Sequence, residues 1–144
     1  MTADLTIEML PPEQVEAEWE TLEPMFAAAC KSNAISDVDI EAEDIRVAAA
    51  AGMCVVFGFR AKGKLSMALA LQFTDTNGHK GAEIMAMGGR HLMRFKEAYW
   101  GLILDWLKAN GCEFLDAYAN ERLAKIYSNK FGFDKSCTLV RMTL

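Results

Sequence analysis

The sequence predicts an α/β protein, of the α+β kind, in which helices pack on a mixed β-sheet. Runs of alternating apolar residues predict strands, and longer runs with an apolar residue every three or four positions predict helices. Together these runs give the order β-α-α-β-β-β-α-β-α-β. Between residues 81 and 119 a strand, a long helix and another strand follow one another, which predicts a parallel pair with a right-handed crossover. The 144 residues suffice for a single domain, 1–144, with a substantial core.

The first third of the chain predicts one strand and two helices. Residues 5–10 alternate loosely, and the pair Pro11-Pro12 ends that strand. An apolar stripe from Val15 to Cys30 then predicts an amphipathic helix, which Pro24 should kink or split in two. Residues 41–51 are alanine-rich, with acidic residues in the first turn, and predict the second helix.

The middle of the chain predicts three strands in a meander. The strands are residues 54–60, 65–72 and 81–87, and all three are rich in apolar side chains. Turns are expected at residues 61–64 and 75–78, where glycine, asparagine and aspartate cluster. This meander forms the centre of the predicted sheet.

The second half predicts a double-glycine turn followed by alternating helices and strands. The turn is Gly88-Gly89, and the elements after it are a long helix (90–109), a strand (113–119), a short helix (121–130) and a terminal strand (137–144). The buried face of the long helix is predicted to carry the following residues: Leu92, Phe95, Tyr99, Leu102, Ile103 and Trp106.

Composition and charge exclude several classes of protein. A net charge of −5 argues against a general binder of nucleic acids or anionic membranes. No apolar run reaches membrane-spanning length and no signal sequence is present, so we expect a cytoplasmic protein. The four cysteines are scattered and only two histidines occur, so no metal site is predicted, and buried free thiols in a reducing compartment are expected.

Positive charge is concentrated where the long helix is predicted to begin. Arg90, His91, Arg94 and Lys96 follow the double glycine directly. Cations are unfavourable at the positive end of a helix dipole, whereas a bound anion is favourable there. The cluster therefore predicts either an anion site or a solvated basic face.

The residues that begin and follow the short helix resemble a known family. The run from Asn120 to Tyr127, followed by Phe131-Gly132-Phe133, is similar to a motif of the Gcn5-related N-acetyltransferase (GNAT) superfamily, and the element order agrees. Leu123 replaces a small residue of that motif, and the spacer after Tyr127 is one residue longer. The run from Met87 to Leu92 has glycines without the usual spacing, and resembles small acetyltransferase-like proteins of tailed phages.

The resemblance implies a sheet of six to seven strands flanked by about four helices, with a gap between the fourth and fifth strands. Acetyl-CoA would be the cosubstrate, with its pantetheine arm along Met85 and Met87. Asn120 would either pair with the pantetheine amides or cap the short helix. The pyrophosphate would lie on the following backbone groups: Gly88, Gly89, Arg90, His91 and Leu92.

The resemblance also implies the catalytic groups. Tyr127 would be the general acid for the departing thiolate, because a phenol lies close to a thiol in acidity; the alternative is a tyrosine that only packs the short helix. Glu83 would be the base, with Asp116 as second choice, or both are solvated strand carboxylates. His79 is expected at the surface of a hairpin turn.

Two functions follow from this comparison. One is an acyl-CoA-dependent N-acyltransferase that acts on a small-molecule or peptide amine. The other is a protein that keeps the fold without the reaction and has a structural, assembly or interaction role, phage-related and associated with the host cytoplasm or a virion. A homodimer or a protein partner is compatible with either.

Overall fold

The computed structural model describes residues 4–33, 39–142 and 144. Its strands are β1 (Leu5–Leu10), β2 (Val55–Ala61), β3 (Lys64–Thr76), β4 (His79–Gly89) and β5 (Phe114–Ala117). Its helices are α1 (Pro12–Ala17), α2 (Trp19–Ser32), α3 (Ala42–Ala50), α4 (Leu92–Ala109) and α5 (Glu121–Phe131).

The strands form one sheet in the order β1-β2-β3-β4-β5. The first four strands are antiparallel neighbours, and β5 pairs parallel to β4 after the crossover through α4. The β3–β4 hairpin turns at Asn77 and Gly78, whose φ angles of 55° and 84° are those of a two-residue primed turn. The predicted meander and the predicted parallel pair are therefore confirmed.

Helices cover both faces of the sheet. The side chains of Met67, Leu69 and Leu71 pack with α4 and α5, whereas Ala68 and Ala70 belong to the core formed with α1, α2 and α3. This division follows the strand period of two, which sends alternate side chains of β3 to opposite faces. Because β3 is buried on both faces, it forms the centre of the domain.

The predicted first helix does divide, but at Glu18 rather than at Pro24. Glu18 ends α1 and begins α2, while Pro24 lies inside α2 at an exposed position. The carboxylate of Glu18 accepts a bond of 2.7 Å from Arg60, which also donates to Glu8 at 2.7 Å. This ion pair joins the break between α1 and α2 to β2, and the Arg60 guanidinium lowers the pKa of Glu18. The extra break gives five helices in the described chain instead of about four.

The buried face of α4 differs from the prediction by part of a turn. The buried residues are Phe95, Trp100, Ile103 and Leu107, whereas Leu102 is 56 % exposed. Successive helical residues are about 100° apart, and the stripe is centred on Ile103, so Leu102 falls at its margin. The stripe is rotated because the Trp100 ring packs on Phe131, with 4.9 Å between ring centroids.

The predicted terminal strand is wrong within the described part of the chain. Residues 132–142 contain no strand, and Val140 and Met142 are 86 % and 81 % exposed. Alternation alone cannot form a ladder, and β5 offers a pairing edge of only four residues. The sheet formed by residues 4–33 and 39–142 therefore has five strands rather than six or seven.

The double glycine belongs to β4 and not to a turn. Gly88 and Gly89 pair with Ala68 and Met67 of β3, and the turn begins at Arg90. A Cβ on Gly88 would lie 2.5 Å from the carbonyl oxygen of Met25. Glycine is therefore required at position 88 because the backbone of α2 approaches β4 closely there.

We predict that Gly88→Ala lowers the free energy of unfolding by about 1–3 kcal/mol, because the new methyl group forces α2 away from β4. Gly101→Ala is the matched control. Nothing lies within 4 Å of a Cβ at this exposed position inside α4, so the change should stabilise the protein by about 0.5–1 kcal/mol. Urea denaturation of both variants measures the difference, and equal stability of Gly88→Ala and wild type would contradict the close approach.

Candidate functional site

Strand β4 extends beyond its neighbour β5. The parallel pairing joins residues 81–84 of β4 to Phe114–Ala117, and β4 then runs on through residues 85–89. The register with β3 shifts at the same place, because Ala70 pairs with Ala86 while Leu71 pairs with Ile84. Met85 is thus the extra residue of a bulge, which bends and twists the strand. Pairing between β4 and β5 ends at Ile84, which leaves an opening beside residues 85–87 of β4.

A cavity of about 380 Å3 lies at this opening. Its volume is in the range of small-molecule sites, about 300–1,000 Å3. Strand β4 supplies one wall through residues 83–87, and α2 supplies another through Ala29, Cys30 and Asn33. The remaining lining comes from Asp39, Ile40, Gln72, Tyr118, Leu123, Tyr127, Leu139 and Arg141.

Tyr127 both lines the cavity and packs the domain. It lies on α5 and is 6 % exposed, and its ring contacts Phe133 and Phe131 at centroid distances of 5.2 and 6.0 Å. Burial raises the pKa of Tyr127 to about 12. The packing role is present in the structure, and the phenol keeps its proton at every physiological pH.

Glu83 lines the cavity on the α2 side of the sheet. One of its carboxylate oxygens accepts a hydrogen bond of 2.7 Å from the side-chain amide of Gln72, directly opposite on β3. Asp116 is exposed and lies outside the cavity lining, and His79 is exposed at the hairpin as predicted. Of the two candidate bases, Glu83 is the one that lines the same cavity as Tyr127.

Asn120 caps α5, as one of the two predictions for it states. Its side-chain oxygen accepts from the backbone N–H of Leu123 at 3.0 Å, and its side-chain nitrogen donates to the carbonyl of Ser32 at 2.9 Å. Asn120 therefore connects α5 to α2 in this structure.

The helix that follows β4 begins without a side-chain cap. His91 occupies the N-cap position in the left-handed conformation, with φ 64°, and its side chain caps no backbone N–H group. The run from His91 to Lys96 contains no acidic residue and includes Arg94. Cations without a counter-charge at the positive end of the helix dipole make this N-terminus attractive to an anion.

The cysteines depart from the prediction at one position. Cys30, Cys54 and Cys112 are half-buried free thiols, but Cys137 is exposed. Burial raises the pKa of Cys54 to about 11. Among the residues whose placement is described, no three His, Cys, Asp or Glu side chains come together in a way that could hold a metal ion. The same residues include no helix with the length and apolar character needed to cross a membrane.

Several cavity residues had no sequence signature. Asn33 follows α2 as an isolated polar residue, Gln72 is the polar member of an alternating strand, and Arg141 lies in the predicted terminal strand. Each reaches the cavity through long-range packing. No spacing within the sequence could have selected them.

Comparison with known proteins supports the fold. No family model matches the sequence, and no curated protein matches it. An aminoglycoside acetyltransferase from an uncultured soil metagenomic sample, in complex with sisomicin, aligns with a TM-score of 0.69 at 16% identity, over 99% of this chain and 97% of the other. A GCN5-related N-acetyltransferase from Ralstonia eutropha JMP134 aligns at 0.67 and 14% identity, over 96% and 98%.

A predicted acetyltransferase from Clostridium acetobutylicum, with acetyl-CoA, aligns at 0.64 and 12% identity, over 96% of each chain. The chain therefore has the fold of the GNAT acetyltransferases. The resemblance to phage proteins finds no support in these comparisons.

We predict that the burial of Tyr127 makes stability fall between pH 10 and pH 12. The phenol ionises near 10 in the unfolded chain and near 12 in the fold, so the unfolded state loses its proton first. The stabilisation is complete below pH 10 and is lost as pH rises through 12, about 2–3 kcal/mol in all. Denaturation of wild type and Tyr127→Phe across this range measures the difference, and parallel curves would contradict the burial.

Proposed function

We propose that this protein is an acyl-CoA-dependent N-acyltransferase that transfers the acetyl group of acetyl-CoA to a primary amine. The observation that carries this proposal is the opening between β4 and β5, which holds Tyr127 and Glu83 and continues along β4 towards the uncapped N-terminus of α4. The structurally similar proteins are acetyltransferases, and one of them is described with acetyl-CoA.

The cosubstrate would lie along β4. Its pantetheine arm would follow Met85 and Met87, where β4 has left β5 and its edge is open to pairing. Its pyrophosphate would lie on the backbone at the start of α4. The N–H of Arg90 is already bonded to the Ser66 carbonyl at 2.6 Å, so the N–H groups from His91 onwards would hold the anion. Met87 and Leu92 are at most about 17 Å apart along an extended chain, so one elongated ligand can reach both.

A bound diphosphate would also offset the unfavourable interaction between the basic side chains at the start of α4 and the positive end of its helix dipole. Arg94 and its basic neighbours each destabilise the start of an exposed helix by about 0.3–1 kcal/mol when no anion is present. With the anion in place, the same charges stabilise the complex. The basic start of α4 is therefore better suited to the bound state than to the free one.

The reaction is a direct transfer. The neutral amine attacks the thioester carbonyl carbon, and the C–N bond forms as the carbonyl π pair moves to oxygen. Collapse of the tetrahedral intermediate breaks the C–S bond and releases the CoA thiolate. Glu83 accepts the proton that the amine loses, and Tyr127 faces the departing sulfur. The products are the N-acetylated amine and CoA.

The burial of Tyr127 limits how strong an acid it can be. A pKa of about 12 is well above that of an ordinary thiol, about 8.5, so complete proton transfer to the thiolate is uphill by about 5 kcal/mol. A hydrogen bond from the phenol to the developing thiolate avoids most of that cost. We therefore assign Tyr127 to stabilising the leaving group, with solvent as the final proton source.

The acceptor that suits this cavity is a small-molecule amine. The cavity opens beside Glu83, whose carboxylate can bind an ammonium group before it takes a proton. The similarity to an aminoglycoside acetyltransferase in complex with sisomicin is consistent with a small-molecule acceptor.

A second candidate is a protein that has kept this fold without the reaction, as a structural, assembly or interaction module. Two observations favour it. The close approach of α2 uses Gly88, and both polar ends of the Asn120 side chain are already bonded. Binding of the cosubstrate separates the two candidates.

We predict that acetyl-CoA raises the melting temperature of the protein. At a hundred times its Kd, a ligand specific for the fold adds about 2.7 kcal/mol of stability. Arg94→Gln should reduce the shift at low salt, and Lys108→Gln, at the other end of α4, is the matched control. Absence of any shift at millimolar acetyl-CoA would exclude the transferase and favour the second candidate.

We predict that Tyr127→Phe lowers kcat by about 10²-fold, as expected for loss of one donor to a developing charge. Turnover is followed as release of the CoA thiol with a panel of small amines that includes sisomicin. Tyr99→Phe is the control, because it removes a phenol that bonds to the Leu5 carbonyl at 2.6 Å, away from the cavity lining. An unchanged kcat for Tyr127→Phe would remove this residue from the mechanism.

A further inference from the structure

The side chain of Asn33 makes an unusual pair of long-range hydrogen bonds. Its amide nitrogen donates to the carbonyl of Tyr118 at 2.6 Å, and its amide oxygen accepts from the backbone N–H of Asn120 at 2.8 Å. An asparagine side chain has the same donor and acceptor groups as a peptide unit. Asn33 therefore pairs with the connection between β5 and α5 much as a neighbouring strand would.

Further bonds join the same two segments. The carbonyl of Ser32, at the end of α2, accepts from the side chains of Asn120 at 2.9 Å and Arg122 at 3.2 Å. The hydroxyl of Ser32 also contacts the Arg122 guanidinium. The first two bonds satisfy the Ser32 carbonyl, one of the groups that the last turn of a helix leaves unpaired. We call the set formed by residues 32, 33, 118, 120 and 122 the α2–α5 latch.

The latch lies between two walls of the cavity. Asn33 and Tyr118 both line the cavity, α2 supplies one wall, and α5 carries Tyr127 on another. Asn120, which caps α5, is seven residues before Tyr127, or about 10 Å along the helix axis. Helix α2 also rests on β4, where its backbone approaches Gly88. Helix α2 and the residue that follows it thus contact both β4 and the segment that begins α5.

We propose that Asn33 is a positioning residue, whose two-point pairing with the backbone of residues 118 and 120 fixes the wall that carries Tyr127 against the β4 wall. This inference rests on the proposed acyltransferase function. Since Asn33 accepts the N–H of Asn120, that donor is not available to a ligand. The pantetheine amides would therefore find their acceptors and donors chiefly on the edge of β4.

Two substitutions at position 33 distinguish the contributions of the two hydrogen bonds. Asn33→Ala removes both, and Asn33→Asp keeps the acceptor for the Asn120 N–H but places an oxygen against the Tyr118 carbonyl. The first measurement is hydrogen exchange at the backbone N–H of Asn120, which needs no cosubstrate. Exchange should be about tenfold faster in Asn33→Ala and less affected in Asn33→Asp. The N–H of Ala124, bonded within α5 to the Asn120 carbonyl, is the internal reference.

The second measurement is the kinetics of CoA release. We expect kcat to fall about tenfold in both variants with a smaller change in the KM for acetyl-CoA, because the leaving-group donor moves while the β4 edge stays. Asn110→Ala is the control, since it removes another side-chain bond to a backbone carbonyl, that of Trp106 at 2.8 Å, outside the cavity lining. Its kcat should equal that of the wild type.

Three outcomes would overturn the inference. Unchanged exchange at Asn120 in Asn33→Ala would mean that the latch does not hold this segment. Faster exchange with unchanged kcat and KM in both variants would make Asn33 a structural residue only. A wild-type protein that neither binds nor turns over acetyl-CoA would remove the proposed function and the positioning role together, whereas the exchange result would still establish the latch. If Asn33→Ala does not fold, the kcat of Asn33→Asp tests the inference by itself, and an unchanged value would contradict the positioning role.

Discussion

The mismatch in length between β4 and β5 is the constraint on which the rest of the site depends. A bulge at Met85 follows directly after the last residue of β4 that pairs with β5, so residues 85–89 of β4 continue without β5 as a paired neighbour. A cavity forms in the gap, and the elements around it close it from several sides. Helix α2 can lie over the open part of β4 because Gly88 has no side chain. Without this opening the cosubstrate could not enter, whichever side chains lined the site.

The sequence predicted the elements more accurately than their packing. Local patterns placed β1, the β2–β3–β4 meander and α5 to within a few residues, because period and turn chemistry are properties of short segments. The rotation of α4 was missed because it depends on Trp100 meeting Phe131, a contact between distant elements. The terminal strand was predicted from alternation alone, but an alternating segment forms a strand only where another strand is available to pair with it.

In the site, too, the sequence predicted individual residues but not their long-range contacts. Tyr127 and Glu83 were predicted from resemblance, and the fold brings both to one cavity. The sequence could not show that burial against Phe131 and Phe133 raises the pKa of Tyr127 to about 12, above the value of an ordinary phenol. Asn33 was not predicted at all, since its importance lies in two backbone groups more than eighty residues away. Residue type can be found from sequence, whereas solvation and long-range hydrogen bonding require the folded molecule.

The shortness of β5 has a consequence for the behaviour of the protein in solution. As the last strand in the sheet order, β5 presents an outer edge to whatever chain approaches it. That edge is four residues long and carries the exposed carboxylate of Asp116. Short, charged edges give an incoming strand few hydrogen bonds and an unfavourable charge to bury. The sheet therefore ends in a way that discourages edge-to-edge aggregation, although its interior strands are strongly apolar.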